Sequence, residues 1–439
     1  MSKDTNKRKT SSVRHTRAIQ RDRSKRPAAA PPDEKVEALL KELILPATYT
    51  QLALYHAMGM RQRILSLPLM VAFVLSLIWR QLGSVTEAVR ELNRHGLLWS
   101  GPTKVTQQAV SERLHSFPPL LFYQVLLEVL PRLRERWQAR QRPLSPAMKW
   151  ALGHFSAVRV LDGSTLDALM RKVGLLRAGE GPVLAGRMAA LLDAAAMLPQ
   201  QVWYEENSQA HDQQFWERAV ATLTRGTLLL FDLGFTNYGW FDELTCREIG
   251  FITRRKSNAV YQVEQVLQTG AHLHDWIIRL GKGAKQCQHP MRLVEFEIGG
   301  RWYRYLTNVL DPQLLPAQYV MELYQQRWRI EDVFNVVKRL LGLAYFWVGS
   351  SNGVQVQVWA TWLLFAVLVD LTDAVAEVLN RPFSEISMEM VYRGLRHFAM
   401  AFEKGQAQDP VAFLAEEAQL LGIVKRKRHR TPLTTGSSP

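Results

Sequence analysis

The chain has 439 residues, 47% of them hydrophobic, so it is long enough for two or three domains with their own cores and is not a disordered protein. Its formal net charge of +15 predicts an anionic polymer as partner, and nucleic acid is the first candidate, although a protein that is merely basic would show the same charge. With only Cys246 and Cys287, and no CxxC pair or His/Cys cluster, the sequence predicts neither a disulfide framework nor a zinc site, and it favours a reducing compartment.

The basic N-terminal segment predicts a flexible arm. Residues 1–32 contain ten Lys and Arg against two Asp and end in PAAAPP, a composition typical of disordered segments that contact phosphates without sequence preference. A nuclear-import signal is the other interpretation of such a stretch. We expect this arm to cover residues 1–35 and a second basic segment, which begins with KRKRHR, to cover residues 425–439.

Residues 36–150 are expected to be mainly helical and to bind DNA. The SVTE sequence at residues 84–87 is a capping box that begins an amphipathic helix, and Thr106 can cap a second, short helix. The two helices and the Gly-containing break between them resemble a helix-turn-helix, although the break is long and many helical pairs share this pattern. The exposed candidates for DNA contacts are Gln107, Gln108, Ser111 and Arg113.

From residue 156 the pattern alternates between strands and helices, which predicts a mixed α/β domain with an insertion. We expect strands at residues 156–162, 187–197, 201–206, 227–235 and 251–256, and helices at residues 213–224 and 238–248. The expected divisions are a first part of the core at 151–256, a β-rich insertion at 257–310, a second part of the core at 311–380 and a helical region at 381–424.

The longest apolar run, at residues 359–369, is shorter than a bilayer span and is followed by Asp370. We therefore expect a buried helix there, as we do at residues 64–79. The N-terminus lacks the apolar segment of a secretory signal. These features predict a cytoplasmic protein without membrane contact.

The most distinctive stretch is YQQRWRIEDVFNVVK at residues 324–338. In a continuous helix, Tyr324, Arg327, Glu331 and Lys338 would share a stripe about 60° wide. The apolar residues would face a core from another sector; they are Leu323, Ile330, Val333, Val337 and Leu340. The stripe thus surrounds one carboxylate with donors of the kind that bind phosphates. The alternative is a salt bridge between Glu331 and Arg327 on a solvated face.

Three acids stand where an unpaired charge is costly. Asp162 ends the first predicted strand, Asp232 lies in the buried run at residues 227–235, and Glu331 lies on the helix. If the fold brings them together, a divalent cation would neutralise them, and ligands that are all oxygen favour Mg²⁺ or Mn²⁺. Two such ions can activate a hydroxyl and stabilise the leaving oxygen of a phosphodiester. The alternatives are a turn or helix cap at Asp162 and a strand end at Asp232.

Taken together, these motifs resemble the DDE transposases of the IS4 insertion-sequence type. The resemblance rests on DGS from Asp162, LGF after Asp232, FITRRKSN, YLTN and the complete Tyr-x2-Arg-x3-Glu-x6-Lys signature, and it covers roughly residues 60–380. It implies an α/β fold with an RNase H-like catalytic core, a β-rich insertion between Asp232 and Glu331 and a mainly helical N-terminal DNA-binding region.

The resemblance also implies a reaction and its residues. The chain would cut DNA at the ends of a mobile element and join them to target DNA, through a hairpin in related elements. The catalytic residues, which would also bind two Mg²⁺ or Mn²⁺ ions, would be Asp162, Asp232 and Glu331. The residues that bind DNA would be Tyr324, Arg327 and Lys338, together with Arg254 and Lys256, which share a strand face by two-residue alternation.

An aromatic platform would be needed to hold a base moved out of the stack. The candidates are Trp302, Tyr303 and Trp328, and ordinary packing in the core or sheet is the alternative for each. The resemblance implies double-stranded DNA with inverted repeats and target DNA as partners, a second copy of the chain in the synaptic complex, and a bacterial, nucleoid-associated protein.

Three other functions fit part of the sequence. A domesticated RNase H-like nuclease that cuts without joining would use the same three acids. A non-catalytic DNA-binding regulator is disfavoured because a decayed core should have lost some of these residues. A basic RNA-binding protein is disfavoured because neither RNP-like strands nor a GXXG loop stands in a suitable context.

Overall fold

The computed structural model describes residues 34–166, 186–207, 211–343, 347 and 350–425. The predicted arm at residues 1–35 and the predicted tail at residues 425–439 therefore lie almost wholly outside the described residues. Within them, the chain is a mixed α/β protein in which helices pack on both faces of a nine-stranded sheet.

Helices fill the described chain ahead of the first strand. They are α1 (Glu34–Thr50), α2 (Leu52–Ala57), α3 (Leu67–Trp79), α4 (Val85–Arg94), α5 (Gln107–Ser116), α6 (Pro119–Ala139) and α7 (Pro146–His154). The apolar helix α3 is buried on almost every side, so the other helices pack around it. Both predicted caps are confirmed, because Ser84 Oγ accepts the Glu87 N–H at 3.1 Å and Thr106 Oγ1 accepts the Ala109 N–H at 3.2 Å.

The polar face of α5 only partly matches the expected DNA-reading face. Gln107 and Gln108 are exposed, and Gln107 is hydrogen-bonded to Ser111 at 2.9 Å. Arg113 instead turns inward, where its guanidinium donates to the Tyr55 hydroxyl and, at 3.2 Å, to the Leu65 carbonyl. The expectation that Arg113 is exposed is therefore wrong, because its side chain is hydrogen-bonded to the loop between α2 and α3.

A single sheet contains the strands of both the predicted core and the predicted insertion. Its strands are β1 (Ala157–Thr165), β2 (Arg187–Asp193), β3 (Pro199–Glu205), β4 (Thr227–Phe231), β5 (Gly250–Arg254), β6 (Tyr261–Thr269), β7 (Leu273–Leu280), β8 (Met291–Ile298) and β9 (Arg301–Thr307). Their order is β3-β2-β1-β4-β5-β9-β8-β7-β6. Strands β1, β4 and β5 are parallel, and the remaining neighbours are antiparallel.

Alternation along the central strands divides the core between the two faces of the sheet. Val158 and Val160 face the larger apolar cluster, which includes the helices that follow β9, whereas Leu161 faces a smaller one. Those helices are α10 (Ala317–Gln325), α11 (Trp328–Asn335), α12 (Ser351–Val378), α13 (Met388–Glu403) and α14 (Pro410–Glu416). The smaller cluster contains α8 (Trp216–Ala221) and α9 (Tyr238–Cys246). Asp162 has the parity of Val160 and therefore points toward α11.

Helix α12 is the long apolar element of the fold. It extends well beyond the predicted run at residues 359–369 and is long and apolar enough to cross a membrane, but 89% of its most apolar window is buried inside the protein. The prediction of a buried helix is thus confirmed, while its predicted length is too short. Among the described residues, no other helix passes the same length and hydropathy test.

Several predicted boundaries are wrong in ways that matter for the site. The predicted strand at residues 227–235 ends at Phe231, and Leu233–Phe235 form a 3₁₀ turn. The predicted helix at residues 213–224 is a 3₁₀ turn at Asp212–Phe215 followed by the short helix α8. Strand β1 continues past Asp162, so this acid lies inside a strand and not at its end.

Candidate active site

The pairing of β1 with β4 brings two of the predicted acids together. In this parallel register Leu161 lies opposite Phe231, and Asp162 and Asp232 each follow by one residue. Neighbouring strands are about 4.8 Å apart, so the two acids lie side by side at the carboxyl end of β4. Asp232 has left the strand and has an extended backbone. The prediction that Asp232 lies within a buried strand is therefore wrong, because the strand ends one residue earlier.

Glu331 approaches these acids from α11, and Arg327 connects them. Arg327 Nη1 donates to Asp162 Oδ2 at 2.7 Å, and Arg327 Nη2 donates to Glu331 Oε1 at 3.3 Å. The Arg327 side chain is only 4% exposed, whereas that of Glu331 is 49% exposed. One buried guanidinium thus bridges an acid of the sheet and an acid of the helix, and this contact fixes α11 over β1.

The segment at residues 324–338 is not the continuous α-helix that the sequence predicts. Helix α10 ends at Gln325, a tight turn follows in which the Arg327 N–H donates to the Tyr324 carbonyl at 3.0 Å, and α11 begins at Trp328. The chain then widens into a π-helix over Val336–Leu340, which contains Lys338. Single-turn π-helices of this kind are frequent at functional sites.

The signature residues point into the protein more than predicted. Tyr324 is 2% exposed, and its hydroxyl is buried without a hydrogen-bond partner. Burial raises the pKa of this phenol, although nearby Arg327 opposes the increase. Lys338 Nζ donates to Ser164 Oγ on β1, two residues beyond Asp162. Arg327 and Lys338 therefore contact β1 from the helical segment, whereas Tyr324 packs against Tyr305 of β9.

The charges of the site are strongly coupled. Burial raises the pKa of Asp162 to about 6, against the opposing effect of Arg327, and the carboxylates of Asp232 and Asp212 add to the increase. Burial alone would lower the pKa of Arg327, but Tyr324, Asp162 and other nearby acids outweigh it, so that this pKa is raised. Burial thus makes the Asp162 carboxyl harder to ionise than an exposed aspartate, even with the Arg327 guanidinium beside it.

A fourth acid, Asp212, is close enough to Asp162 and Asp232 to interact with them electrostatically, and the sequence analysis missed it. A Cβ atom on Gly163 would lie 2.1 Å from Asp212 Oδ1, and one on Gly234 would lie 3.4 Å from Asp212 Oδ2. Asp212 thus packs against the glycines that follow Asp162 and Asp232. Because Asp212 precedes a predicted helix, it looks like an ordinary helix cap in the sequence. The available signal was Gly163, since a glycine inside a strand often marks the close approach of another group.

Of the other two predicted DNA-binding residues, one lies in β5 and the other lies beyond its end. Arg254 is the last residue of this strand, pairs in register with Tyr305 and is close enough to influence Tyr324 electrostatically. Lys256 is exposed and lies beyond the strand. The two side chains therefore do not share a strand face, because the strand ends two residues earlier than predicted.

The three aromatic candidates have different surroundings. Trp302 stacks on His274 with ring centroids 4.4 Å apart, and Tyr303 packs against the main core. Trp328 is 51% exposed, and the Arg327 guanidinium lies 4.8 Å from its ring centroid. Of the three, Trp328 is the exposed ring beside the acids.

The donor set fits a hard divalent cation chemically. All of the acids supply oxygen ligands of the kind that Mg²⁺ and Mn²⁺ prefer, and the buried negative charge around Asp162 is of the sign that such an ion would neutralise. In the described part of the chain, no three His, Cys, Asp or Glu side chains are already arranged closely enough to hold a metal ion. Arg327 lies between Asp162 and Glu331 and contacts both.

Comparison with known proteins identifies a family domain over this site. Residues 185–368 match the family model described as the transposase DDE domain. The matched range contains Asp232, Glu331 and the whole segment at residues 324–338, and it begins after Asp162.

Two curated relatives are named as transposases. A transposase of Sinorhizobium fredii is 29% identical over 173 residues, which are 37% of this chain and 46% of the relative. A protein of Geobacillus stearothermophilus, named as the transposase of insertion sequence element IS5377, is 28% identical over 144 residues, which are 32% of this chain and 36% of the relative. The chain thus matches less than half the length of each of these relatives.

Among solved structures, the cryo-EM structure of the piggyBac transposase synaptic complex with hairpin DNA aligns with 91% of this chain and 85% of its own chain. The TM-score is 0.38 and the sequence identity is 9%. This likeness is too loose to assign an activity.

Proposed function

We propose that this chain, a member of the DDE transposases, cuts DNA at the ends of an insertion sequence of the IS4 type and joins the ends to target DNA. The observation that carries the proposal is the convergence of Asp162 and Glu331 on the buried Arg327, with Asp232 alongside Asp162. A site that gathers carboxylates and phosphate-binding donors between a sheet and a helix suits phosphodiester chemistry.

The strand arrangement supports an RNase H-like core. The antiparallel strands β1–β3 continue into the parallel strands β4 and β5, and the acids lie where β1 and β4 meet. The antiparallel strands β6–β9 occupy the interval between Asp232 and Glu331, where the insertion is proposed. The helices that precede β1 would then bind the DNA ends.

In the proposed reaction, Asp162, Asp232 and Glu331 hold two Mg²⁺ or Mn²⁺ ions. When bound, divalent cations supply Lewis-acid activation of the attacking hydroxyl and stabilise the leaving oxygen. Arg327 and Lys338 bind the phosphates next to the cleaved bond, and the two Arg327 donors that contact Asp162 and Glu331 in this structure would turn to a phosphate once ions hold those acids. Arg254 and Lys256 contact the DNA backbone on either side.

Tyr324 and Trp328 would complete the site. The Tyr324 hydroxyl, which lacks a partner inside the protein, donates to a phosphate oxygen. The exposed ring of Trp328 is the best placed of the three aromatic candidates to stack on a base moved out of the duplex during a hairpin step.

The proposed substrate is double-stranded DNA that carries inverted repeats, and two copies of the chain would hold two ends in the synaptic complex. The reaction would take place in the bacterial cytoplasm at the nucleoid. The net charge of +15 supports binding to such a polyanion.

The test is cleavage of a labelled duplex that contains the flanking ends of the gene, with Mg²⁺ or Mn²⁺. We expect nicking at the end followed by hairpin or joined products. The isosteric changes Asp162→Asn, Asp232→Asn and Glu331→Gln should each lower the rate about 100-fold or more while DNA binding persists. Nicking without joining would indicate a nuclease, and DNA binding without cleavage under either metal would indicate a regulator.

Asp332→Asn is the matched control for this experiment. Asp332 is the next residue after Glu331 on α11, but its charge acts on Arg329 and not on Arg327. Its replacement removes the same charge from the same helix turn and should leave the cleavage rate close to that of the wild type. Wild-type cleavage by the Glu331→Gln chain would contradict the proposed site.

A further inference from the structure

The helical region that precedes the sheet contains a large open groove. It has a volume of about 830 Å³ and lies between α5 and the loop that joins α2 to α3. Three exposed cations line it, namely Arg61 and Arg63 from the loop and Lys104 from the segment before α5. Two segments that are about 40 residues apart in the chain thus bring positive charge to one place.

The charge of these cations is not balanced within the described part of the chain. There, no ion pair or side-chain hydrogen bond involves the side chain of Arg61, Arg63 or Lys104. One acid, Glu112, also lines the groove, and its carboxylate accepts a hydrogen bond from Gln108 Nε2 at 3.0 Å. The groove therefore has a surplus of positive charge that an anionic ligand from outside can balance.

The backbone on both sides of the groove is fixed by side chains. The Arg113 guanidinium donates to the carbonyls of Arg61 and Leu65, each at 3.2 Å, and so holds the loop against α5. On the other side, the Asn93 side chain donates to the Val105 carbonyl at 3.2 Å and accepts the Val105 N–H at 3.0 Å. Because the backbone is already ordered, less conformational entropy is lost when a ligand binds, which favours affinity.

The lining of the groove suits a nucleic-acid strand better than a single small anion. Ile64 lies among the cations and is 65% exposed, so the groove offers apolar surface for a sugar as well as positive charge for phosphates. We propose that this groove binds backbone phosphates of double-stranded DNA through Arg61, Arg63 and Lys104. This inference rests on the proposed function only in taking DNA as the partner. Since phosphate contacts fix the position of a protein on a duplex, the groove would hold the polar face of α5 against the DNA.

The test is DNA binding by the full chain with the three changes Arg61→Gln, Arg63→Gln and Lys104→Gln. Fluorescence anisotropy without divalent cations measures the affinity for the end duplex and for an unrelated duplex over a range of salt concentrations. The slope of log affinity against log salt concentration should decrease in magnitude by about 0.9 for each lost phosphate contact, and thus by about 2.7 in the triple variant. At physiological salt, we expect the affinity for both duplexes to fall about 10- to 100-fold.

The single changes and a folding measurement support the triple variant. Each single change should reduce the magnitude of the salt slope by about 0.9. The thermal unfolding temperature of every variant should match that of the wild type, because the replaced side chains are exposed. A loss of DNA binding then reports on the groove and not on unfolding.

A second triple variant, with Lys41→Gln, Arg132→Gln and Lys149→Gln, is the matched control. These residues are exposed on α1, α6 and α7, outside the groove, so the variant removes the same charge from the same helical region. Its salt slope should change by less than the value of about 0.9 that one contact contributes.

Three results would overturn the inference. Equal losses in the two triple variants would show that net charge alone determines the affinity. Wild-type affinity of the groove variant for both duplexes would leave the groove to an acidic partner other than DNA. A loss of binding to the end duplex alone would contradict phosphate contacts, which are the same on every duplex.

Failure of this inference and failure of the proposed function give different results. A chain that binds DNA through the groove but neither nicks nor joins DNA ends contradicts the transposase and leaves the groove in place. A chain that cuts and joins DNA, and whose groove variant binds both duplexes as the wild type does, loses only the role of the groove.

Discussion

At the scale of single residues, Tyr324 carries a cost that its packing does not explain. Its ring contributes to the core and lies 5.2 Å from the ring of Tyr305, yet its hydroxyl is buried without a hydrogen-bond partner. A buried hydroxyl without a partner typically costs about 1–3 kcal/mol. A phenylalanine would fill the same space without this cost, so we expect the hydroxyl to serve the proposed function and not stability.

Tyr324→Phe should therefore separate stability from activity. We expect the free energy of unfolding in urea to stay unchanged or rise by about 1 kcal/mol, because an unpaired polar atom is removed. We expect cleavage of the end duplex to become slower, because the variant lacks the hydroxyl that we propose donates to a DNA phosphate.

Tyr55→Phe provides the opposite pattern as a control. Tyr55 is also fully buried, but its hydroxyl donates to the Arg61 carbonyl at 3.1 Å and accepts from Arg113. Its loss should lower the free energy of unfolding by about 1 kcal/mol and leave the cleavage chemistry intact. If Tyr324→Phe behaved like Tyr55→Phe in both measurements, the assigned role of Tyr324 would be wrong.

At the scale of elements, the segment at residues 324–338 shows what periodicity can and cannot predict. The apolar residues Leu323, Ile330 and Val337 are buried as the 3.6-residue period indicates. The 3.6-residue period does not predict the turn at Arg327 or the π-helix around Lys338. Each of them rotates the following side chains by a fraction of a helical turn. Burial of Tyr324 also depends on Tyr305, which belongs to a distant strand.

Helix α12 shows a second limit of prediction from the sequence. Its acids follow the apolar run in the sequence and therefore suggest that the helix ends there. Asp370 and Asp373 nevertheless lie inside the helix and are buried, because α6 and the residues after it present arginines to them. Arg140 Nη1 contacts Asp370 Oδ1 at 2.8 Å and Asp373 Oδ2 at 3.1 Å, and Arg142 also contacts Asp373. Pairing between distant segments decides the length of this helix.

Removal of one member of this ionic cluster should be strongly destabilising. Asp373→Ala would leave Arg140 and Arg142 partly unpaired in a buried place, and loss of one partner of a buried pair typically costs about 3–5 kcal/mol. Chemical denaturation of the purified variant measures this cost. Glu389→Ala, which breaks an exposed pair with Arg393 on α13, should cost less than about 1 kcal/mol. Similar costs for the two variants would contradict the importance assigned to burial.

At the scale of the whole molecule, the site depends on topology. The acids of the sheet are neighbours because β1 and β4 are parallel and in register, a relation between segments about 70 residues apart that no local pattern contains. Sequence motifs could therefore name Asp162, Asp232 and Glu331 without showing how they meet. Asp212 was missed because it lies in a short 3₁₀ turn, which has no periodicity of its own.

The charge of the molecule is concentrated at its N-terminus, and this leads to a prediction for DNA binding. Deletion of residues 1–26 removes ten Lys and Arg and two Asp. The net charge of these residues is more than half of the net charge of +15 of the whole chain. For every phosphate that the shortened chain no longer neutralises, the slope of log affinity against log salt concentration should fall by about 0.9. We expect weaker binding to specific and unrelated duplexes alike, measured by fluorescence anisotropy between low and physiological salt.

Deletion of residues 426–439 is the matched control, because it removes four Lys and Arg from the other end of the chain. It should reduce the salt slope by less than the N-terminal deletion does, in proportion to the smaller charge, if both segments bind DNA only through phosphates. A selective loss of binding to the end duplex after removal of residues 1–26 would instead show that the arm reads sequence, since phosphate contacts are the same on every duplex. An unchanged salt slope would show that the helices and the sheet supply the phosphate contacts by themselves.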